Sequence, residues 1–396
     1  MATKVLVVGS GVVGLRTAIE LIHRRIRVHL ISPRHPLHPS TCSMGAGGLW
    51  MPFHCTDSRT DRWSLETLNE LTRLSSEKSS PAGKLVETLP AVVFSRNSQS
   101  APSWSAHASG KSLDFKNLSI EDLYKQSESQ RFRLPRKEVM KMAGYSHAWL
   151  FQTQIVDTPK MLMHMLNEII ASEYTDHVDV ETDEYYTNIE ELLIEAKERG
   201  CDGLVNCTGL GSKLLCNDAS LIGARGILLH YDRASCVWNQ KERGFISSVE
   251  AKTNLLQDSV ITISEPPFGS ETMPCYMIPR GDIVAVGGSY LVGDEEKGIR
   301  SSERRRILEN AQNMGIDTKK SMCVSEWVGF RPYRSAMRLE VDEKLSSLSG
   351  VTVVHSYGCG GSGWTVFVGV ASDNANLLET RMETGSHFDG RNEVHC

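Results

Sequence analysis

No apolar run in this chain approaches the roughly 18 residues that a membrane-spanning helix needs, so no membrane partner is expected. The charge is nearly balanced, 43 basic against 48 acidic side chains, and a net charge of −5 gives no reason to expect nucleic acid or an anionic surface as partner. The 10 cysteines form no Cys-x-x-Cys pair, and a chain of this length does not depend on a disulfide scaffold. Reduced thiols in an intracellular compartment are the expectation. A first strand beginning at Lys4 leaves no room for a secretory signal, and the ending Asn-Glu-Val-His-Cys is not of the Ser-Lys-Leu type. The expected location is therefore cytoplasmic or peroxisomal. Also missing are internal repeats, a metal-ligand cluster, a Ser-His-Asp triad and a pair of acids; no metal site is expected.

What is there is an ordinary globular composition, 40% hydrophobic and 23% charged, over 396 residues. That length is enough for two to three domains and for a core that encloses a cofactor. Lys4 to Val8 (KVLVV) is a β-branched run of the kind found in buried parallel strands. Gly9-Ser10-Gly11-Val12-Val13-Gly14 follows it and fits G-x-G-x-x-G; a helix is predicted over Val12 to His23 and a second strand over Arg27 to Ile31. This is a βαβ dinucleotide fingerprint. Gly9 permits the turn, Gly11 lets a pyrophosphate approach the backbone, and Gly14 lets helix and strand pack closely. The helix N-terminus then faces the phosphate charge. After the second strand, where an acidic residue commonly holds the ribose, stand Ser32, Pro33 and Arg34. A serine can accept or donate there, and Arg34 leaves a 2′-phosphate open, so this segment alone does not separate FAD from a nicotinamide.

A second glycine-rich turn lies near the other end. The strand Val351 to His355 leads into Ser356-Tyr357-Gly358-Cys359-Gly360-Gly361-Ser362-Gly363-Trp364-Thr365, then an apolar stretch with the look of a helix. Four glycines in six residues signal unusual backbone or close ligand contact. Two such turns suit an extended cofactor held at both ends.

HSYGCGGSGWT, GFRPYRSAMRLE (Gly329 to Glu340), YMIPRGDIVAVGG (Tyr276 to Gly288), AGGLWMPF (Ala46 to Phe53) and DGLVNCTGLGS (Asp202 to Ser212) occur here in an order that resembles the D-amino-acid oxidase and D-aspartate oxidase family. The resemblance implies an α/β chain, α+β overall. A Rossmann-like FAD-binding domain (1–60, 150–225 and 323–396) would interleave with a mixed or antiparallel β-sheet substrate and interface domain (61–149 and 226–322). Leu162 to Ser172 and Ile189 to Arg199 read as helices on their own pattern, and Tyr276 to Val286 as a strand. Pro81 to Arg136, rich in Ser, Lys and Gln, matches the family poorly and is expected to form exposed, partly mobile loops.

The activity implied is FAD-dependent oxidation of a D-amino acid by O2 to a 2-oxo acid, ammonia and hydrogen peroxide, in a protein that could form a homodimer. By the same resemblance Arg338 holds the substrate carboxylate and also borders the cofactor, Tyr276 adds a hydroxyl, and the carbonyl of Gly361 takes the amino group. FAD contacts are implied at Gly9, Gly11, Val12, Val13 and Gly14, and at Ser32. Ser43, Ala46, Gly48, Leu49 and Gly209 are implied as well, as are Gly360, Gly361, Gly363, Trp364 and Thr365. Arg331 and Arg334 read as structural ion pairs, and His54 and His355 as structural or solvated. Met51, Ile278 and Trp50 suggest an apolar pocket for a neutral side chain. Arg280 keeps D-aspartate open as the alternative substrate, and a divergent flavoprotein with another acceptor, or none, is also open. Cys359 departs from the histidine or aromatic usual there, Met51 from a polar residue, and Ser264 to Cys275 lacks the family's second tyrosine; Glu271 or Thr272 lies nearest.

Overall fold

The computed structural model describes residues 3–53, 55, 57–107, 113–182, 185–238 and 256–386. His54 and the C-terminal Asn-Glu-Val-His-Cys lie outside the described residues. Fourteen strands are present among them: β1 (Lys4–Val8), β2 (Arg27–Ser32), β3 (Val86–Ser95), β4 (Lys116–Ser119), β5 (His147–Val156), β6 (Thr175–Val180) and β7 (Gly203–Asn206) in the first part of the chain. The second part holds β8 (Ile222–Asp232), β9 (Val260–Ile263), β10 (Cys275–Arg280), β11 (Ile283–Gly287), β12 (Leu291–Val292), β13 (Cys323–Val341) and β14 (Thr352–Cys359). They join in one sheet in the order β4-β5-β3-β9-β10-β11-β8-β13-β14-β7-β1-β2-β6, with β12 on β8.

The sheet changes character along its length. At one end β6, β2, β1, β7 and β14 are all parallel neighbours. The strands inside this group, β2, β1, β7 and β14, are buried on both faces, which is why β1 reads as a continuous apolar run rather than an alternating one, while β6 at the edge is half-buried. The helices Val12–His23, Ile189–Glu198 and Gly363–Ser386 cover them. Towards the other end the pairing is antiparallel, except that β3 runs parallel to β9. β13 belongs to both halves. Residues up to Tyr333 pair with β8, those from Arg338 pair with β14, and the register shifts between them. Such an irregularity re-aims the side chains that follow it.

Three expectations change. Tyr276 to Val286 is a hairpin, β10 and β11, rather than one strand, because Gly281 and Asp282 turn the chain. The second glycine-rich turn begins later, since β14 continues through Cys359. Residues 81–136 are not simply exposed loops: β3 is an interior strand with Val86, Leu89, Ala91, Val92 and Phe94 buried, and Trp104, Leu113 and Phe132 are buried too. The polar stretches flanking Leu89-Pro90-Ala91-Val92-Val93-Phe94 hid that apolar run; residues 108–112 lie outside the described ones.

One buried charge ties the antiparallel half to its covering helix. Arg225 on β8 is fully buried and donates to both carboxylate oxygens of Glu303, at 2.8 and 3.0 Å, and to the carbonyls of Glu296 and Gly298. Glu303 in turn accepts from the Arg300 amide at 2.9 Å at the start of the helix Ser301–Asn313. Removing one partner of a buried pair strands the other charge, at a cost of about 3–5 kcal/mol, whereas replacing both with apolar groups is often neutral. Arg225→Ala should therefore lower unfolding stability by about that amount, while Arg225→Met with Glu303→Leu should recover most of it. Equal losses in chemical denaturation would show that this pairing does not hold the helix.

Candidate active site

A single elongated cavity of about 530 Å³ runs from the carboxyl ends of the parallel strands to the antiparallel half. At its first end the G-x-G-x-x-G turn behaves as the spacing predicts. Gly9 has φ +112°, and a Cβ there would stand 2.5 Å from the Cys207 carbonyl oxygen. A Cβ at Gly14 would come within 1.9 Å of the Gly9 oxygen, so Gly14 serves packing and does not line the cavity. Gly11, Val12 and Val13 do line it, and the Val12 amide donates to the Ser43 hydroxyl at 3.0 Å. Ser32 stands at the wall with its hydroxyl shared between Ser10 (3.0 Å) and the Arg34 carbonyl (2.9 Å). Arg34 packs over the Tyr185 ring at 5.6 Å, and both belong to this end.

The middle wall is a loop of residues 39–53 held from behind through its own carbonyls. Trp327 Nε1 donates to the Pro39 oxygen at 3.0 Å and Trp364 Nε1 to that of Ser43 at 2.9 Å. Thr158 Oγ1 reaches the Met44 oxygen at 2.8 Å. Arg280, only 4% exposed, donates to the Ala46 oxygen at 2.6 Å and the Met44 oxygen at 3.2 Å, and also contacts the Thr158 hydroxyl. Burial pulls the Arg280 guanidinium down to about 10, against the opposing charge of Asp157; it remains a cation at neutral pH. Gly48 has φ +71° and lies where a Cβ would meet the Val156 oxygen at 2.2 Å; its own carbonyl accepts from the Val156 amide at 2.9 Å. Ser362 Oγ donates to the Phe53 oxygen at 2.7 Å and Thr365 Oγ1 to that of Met51 at 3.1 Å.

At the far end Tyr276, Ile278, Met51, Phe53, Leu228, Thr262 and Pro274 line the cavity, with Arg331 as the one cationic lining residue there among the described residues. The Arg331 guanidinium donates to the Ser289 carbonyl at 2.9 Å, lies 5.3 Å from the Tyr290 ring centre, and is within hydrogen-bonding reach of the Tyr276 hydroxyl. Burial raises the Tyr276 hydroxyl, and the Arg331 charge opposes that rise. Room for both comes from glycine. A Cβ at Gly226 would be 2.3 Å from an Arg331 nitrogen, and one at Gly288 2.3 Å from the Tyr276 oxygen.

Of the residues expected from sequence, Gly9, Gly11, Val12, Val13, Ser32, Ser43, Ala46, Gly48, Leu49 and Gly209 line this one cavity, with Tyr276, Gly360, Gly361, Gly363 and Trp364. Thr365 does not; its hydroxyl holds the Met51 backbone. Arg338 does not either, and this is the main correction. It lies beyond the register shift of β13, where it donates to Glu340 (2.8 Å), the Tyr357 hydroxyl (3.0 Å) and Asp342 (3.4 Å). Arg331, expected to be an ion pair, faces the cavity in its place, while Arg334 does pair with Asp218 at 3.0 Å. Arg280 points into the protein at loop carbonyls rather than at a ligand, and Trp50 is core, bonded to the Ser64 carbonyl. Phe53, Tyr185, Thr208 and Tyr357 are lining residues that motif reading passed over.

The donors and the cradle fit a dinucleotide. Backbone amides at a helix start face one end, and glycines at Gly9, Gly11 and Gly48 leave the walls bare where the cofactor would lie against backbone. Among the described residues no cluster of His, Cys, Asp or Glu could hold a metal, and no helix is long and apolar enough to cross a membrane.

The family described as DAO, FAD dependent oxidoreductase, matches residues 4–377. A D-amino-acid oxidase of Dictyostelium discoideum is 23% identical over 389 residues, covering 97% of this chain and 94% of that protein. The human D-aspartate oxidase is 25% identical over 381 residues, covering 95% and 94%. Among solved structures, glycine oxidase from Bacillus cereus superposes with a TM-score of 0.65 at 14% identity, covering 100% of both chains. L-proline dehydrogenase from P. horikoshii does so at 0.64 and 13%, covering 96% and 95%. These structural likenesses establish a shared fold.

Two outcomes follow from this geometry. Arg280→Met takes the short donor from the Ala46 carbonyl and leaves that of Met44 with Thr158 alone, at about 1–3 kcal/mol. The dissociation constant for FAD, read from the fluorescence of released cofactor, should rise at least about tenfold; an unchanged value would mean that the loop is held without Arg280. The second concerns pH. Burial drives both His355 and His230 down to about 4; Arg338 reinforces this at His355, where Asp342 opposes it, and Arg280 reinforces it at His230. Each is neutral when folded and binds a proton on unfolding below the ordinary histidine value of about 6.5. Stability should thus fall as pH drops from about 6.5 to 4, with a slope of up to two protons. Carboxylates such as Asp218 and Asp294, held near 2, lose their contribution only below that range, as pH falls from about 4 towards 2. Urea midpoints that stay level between pH 7 and 5 would contradict this.

Proposed function

Because the chain belongs to the DAO family of FAD dependent oxidoreductases, we propose that it oxidises neutral D-amino acids with O2, forming an imine that water converts to the 2-oxo acid and ammonia, with hydrogen peroxide as co-product. FAD is the cofactor, and when bound it supplies the two-electron acceptor that takes the α-hydrogen with its electron pair and passes the electrons to oxygen. The observation that carries the reading is the convergence of the Arg331 guanidinium and the Tyr276 hydroxyl on the cavity end beside Gly361.

A planar guanidinium with a neighbouring hydroxyl matches a carboxylate, which it can take by two parallel N–H donors. Gly361 borders the same space, and its carbonyl can accept from the amino group. Two fixed points of opposite preference orient a substrate that carries both groups, and orientation near the acceptor is most of what this chemistry asks of the protein. Met51, Phe53, Leu228, Ile278 and Pro274 supply an apolar wall for the side chain and exclude water from the reacting carbon. A side-chain carboxylate, as in D-aspartate, calls for a second cation. Arg280 is engaged with the carbonyls of Met44 and Ala46, so a neutral side chain is the better fit. Relatives bearing both names, D-amino-acid oxidase and D-aspartate oxidase, support the substrate class at 23% and 25% identity.

The test is an anaerobic titration of the holoenzyme with paired D- and L-amino acids, following the visible band of the flavin. Bleaching by D-alanine or a larger neutral D-isomer, but not by its L-form, is expected. Bleaching by D-aspartate alone would replace the neutral reading, and no bleaching by any D-isomer would remove the proposal. Arg331→Ala should lower kcat/KM by about 100-fold or more. Arg338→Ala should leave KM within a few-fold and act on FAD retention and stability; the reverse pattern would restore Arg338 as the carboxylate holder.

A further inference from the structure

We propose that Tyr290 is the positioning residue that fixes the Arg331 guanidinium for carboxylate binding, compensating for the tyrosine that the segment Ser264 to Cys275 lacks. The inference rests on the reading of Arg331 as the carboxylate holder.

Tyr290 follows the β11 strand end and is 5% exposed. Its amide donates to the Thr272 carbonyl at 2.7 Å, so it stands directly beside the position nearest to the missing tyrosine. Its ring face meets the Arg331 guanidinium at 5.3 Å, a cation–π distance. Two further rings pack against the Tyr290 ring at right angles: Phe53 at 6.0 Å and 88°, and Tyr333 at 6.2 Å and 89°. Edge-to-face packing of this kind locks a ring's plane as well as its place. The neighbouring carbonyl, of Ser289, accepts from Arg331 Nη1 at 2.9 Å, and the Ser289 hydroxyl is anchored on the Arg225 carbonyl at 3.1 Å.

An arginine side chain left to itself has many rotamers, and ordering it on ligand binding opposes affinity. Here the guanidinium plane is set by the Tyr290 face and one corner by the Ser289 carbonyl before any ligand arrives. The guanidinium so held shares the cavity with Tyr276 and Gly361, and its charge acts on the Tyr276 hydroxyl. Tyr290 itself is not a lining residue, so it acts through Arg331 rather than on the substrate. It should govern how tightly a carboxylate is held and leave the rate of the bound complex alone.

The experiment uses the FAD-loaded enzyme with Tyr290→Leu, Tyr290→Phe, and phenylalanines of increasing fluorination at position 290, which keep the ring's shape while emptying its face of electron density. Propionate is the probe, its dissociation constant read from the shift of the flavin spectrum; KM for D-alanine and the limiting anaerobic reduction rate are measured alongside. Tyr290→Leu should raise the propionate constant and KM about tenfold, with the limiting rate within about twofold. Tyr290→Phe should hold affinity to within about threefold, and each added fluorine should weaken it further. A flat response across the fluorinated series overturns the proposal, and that isosteric series decides the matter even where the leucine variant does not fold. Arg331→Ala separates the two layers: if it leaves propionate binding unchanged, the carboxylate reading fails and the Tyr290 role falls with it. If it abolishes binding while the fluorinated series is flat, only the Tyr290 role is lost.

Discussion

A loop that lies inside a protein needs a hydrogen-bond donor for each carbonyl it buries, and the wall of this site is such a loop. Residues 39–53 run between the parallel strands and the antiparallel half, and their carbonyls are met by two indoles, two hydroxyls of the closing helix region, Thr158 and the buried Arg280. Arg280 matters most among these because a cation so far from water is stable only while those carbonyls face it. Loop and guanidinium therefore depend on each other. The glycines of the loop follow from the same constraint: at Gly45 a Cβ would be 1.9 Å from the Trp327 ring, so the indole that holds Pro39 also requires the absence of a side chain six residues later.

β13 distributes roles between two arginines seven residues apart. Before its register shift the strand lies along β8 and presents Arg331 to the cavity. After it, the strand lies along β14 and sends Arg338 into a network with Tyr357, Asp342 and Asp218. That network is not idle. Tyr357 lines the cavity, and its hydroxyl donates to Asp218 at 3.0 Å while accepting from Arg338. The segment Gly329 to Glu340 thus serves both halves of the site, which is why a resemblance spanning all of it picks out the stretch without separating its two arginines.

What was legible in the residues follows the range of the forces involved. The first strand, the glycine turn and the first helix are local, so spacing reveals them within a residue. The helices at Thr158–Ala171 and Ile189–Glu198 came out of periodicity in the same way. Features that depend on distant partners did not. Nothing near Arg331 in sequence shows that Gly226 clears a place for it across the sheet, or that Tyr290 lies against its plane. β3 was hidden by its polar flanks, and the engagement of Arg280, read as a candidate cation for a side-chain carboxylate, was hidden because its acceptors lie in a loop more than two hundred residues earlier. The direction of the Thr365 hydroxyl was hidden for a related reason: its motif lies against the cavity, but the hydroxyl itself turns to Met51.

The order of strands in the sheet also bears on how the molecule comes into being during synthesis. β1 is laid down within the first ten residues, yet its neighbour β7 begins at Gly203, and the strand beyond that, β14, only at Thr352. β13, which joins the two halves, is likewise made late. Contacts of such wide separation are slow to form and leave apolar strand faces exposed meanwhile. On the ribosome, then, the nucleotide-binding half cannot close until β14 has been made. Until then one side of β7 stays open, and a nascent chain stopped short of residue 352 would leave β7 without one of its two neighbours.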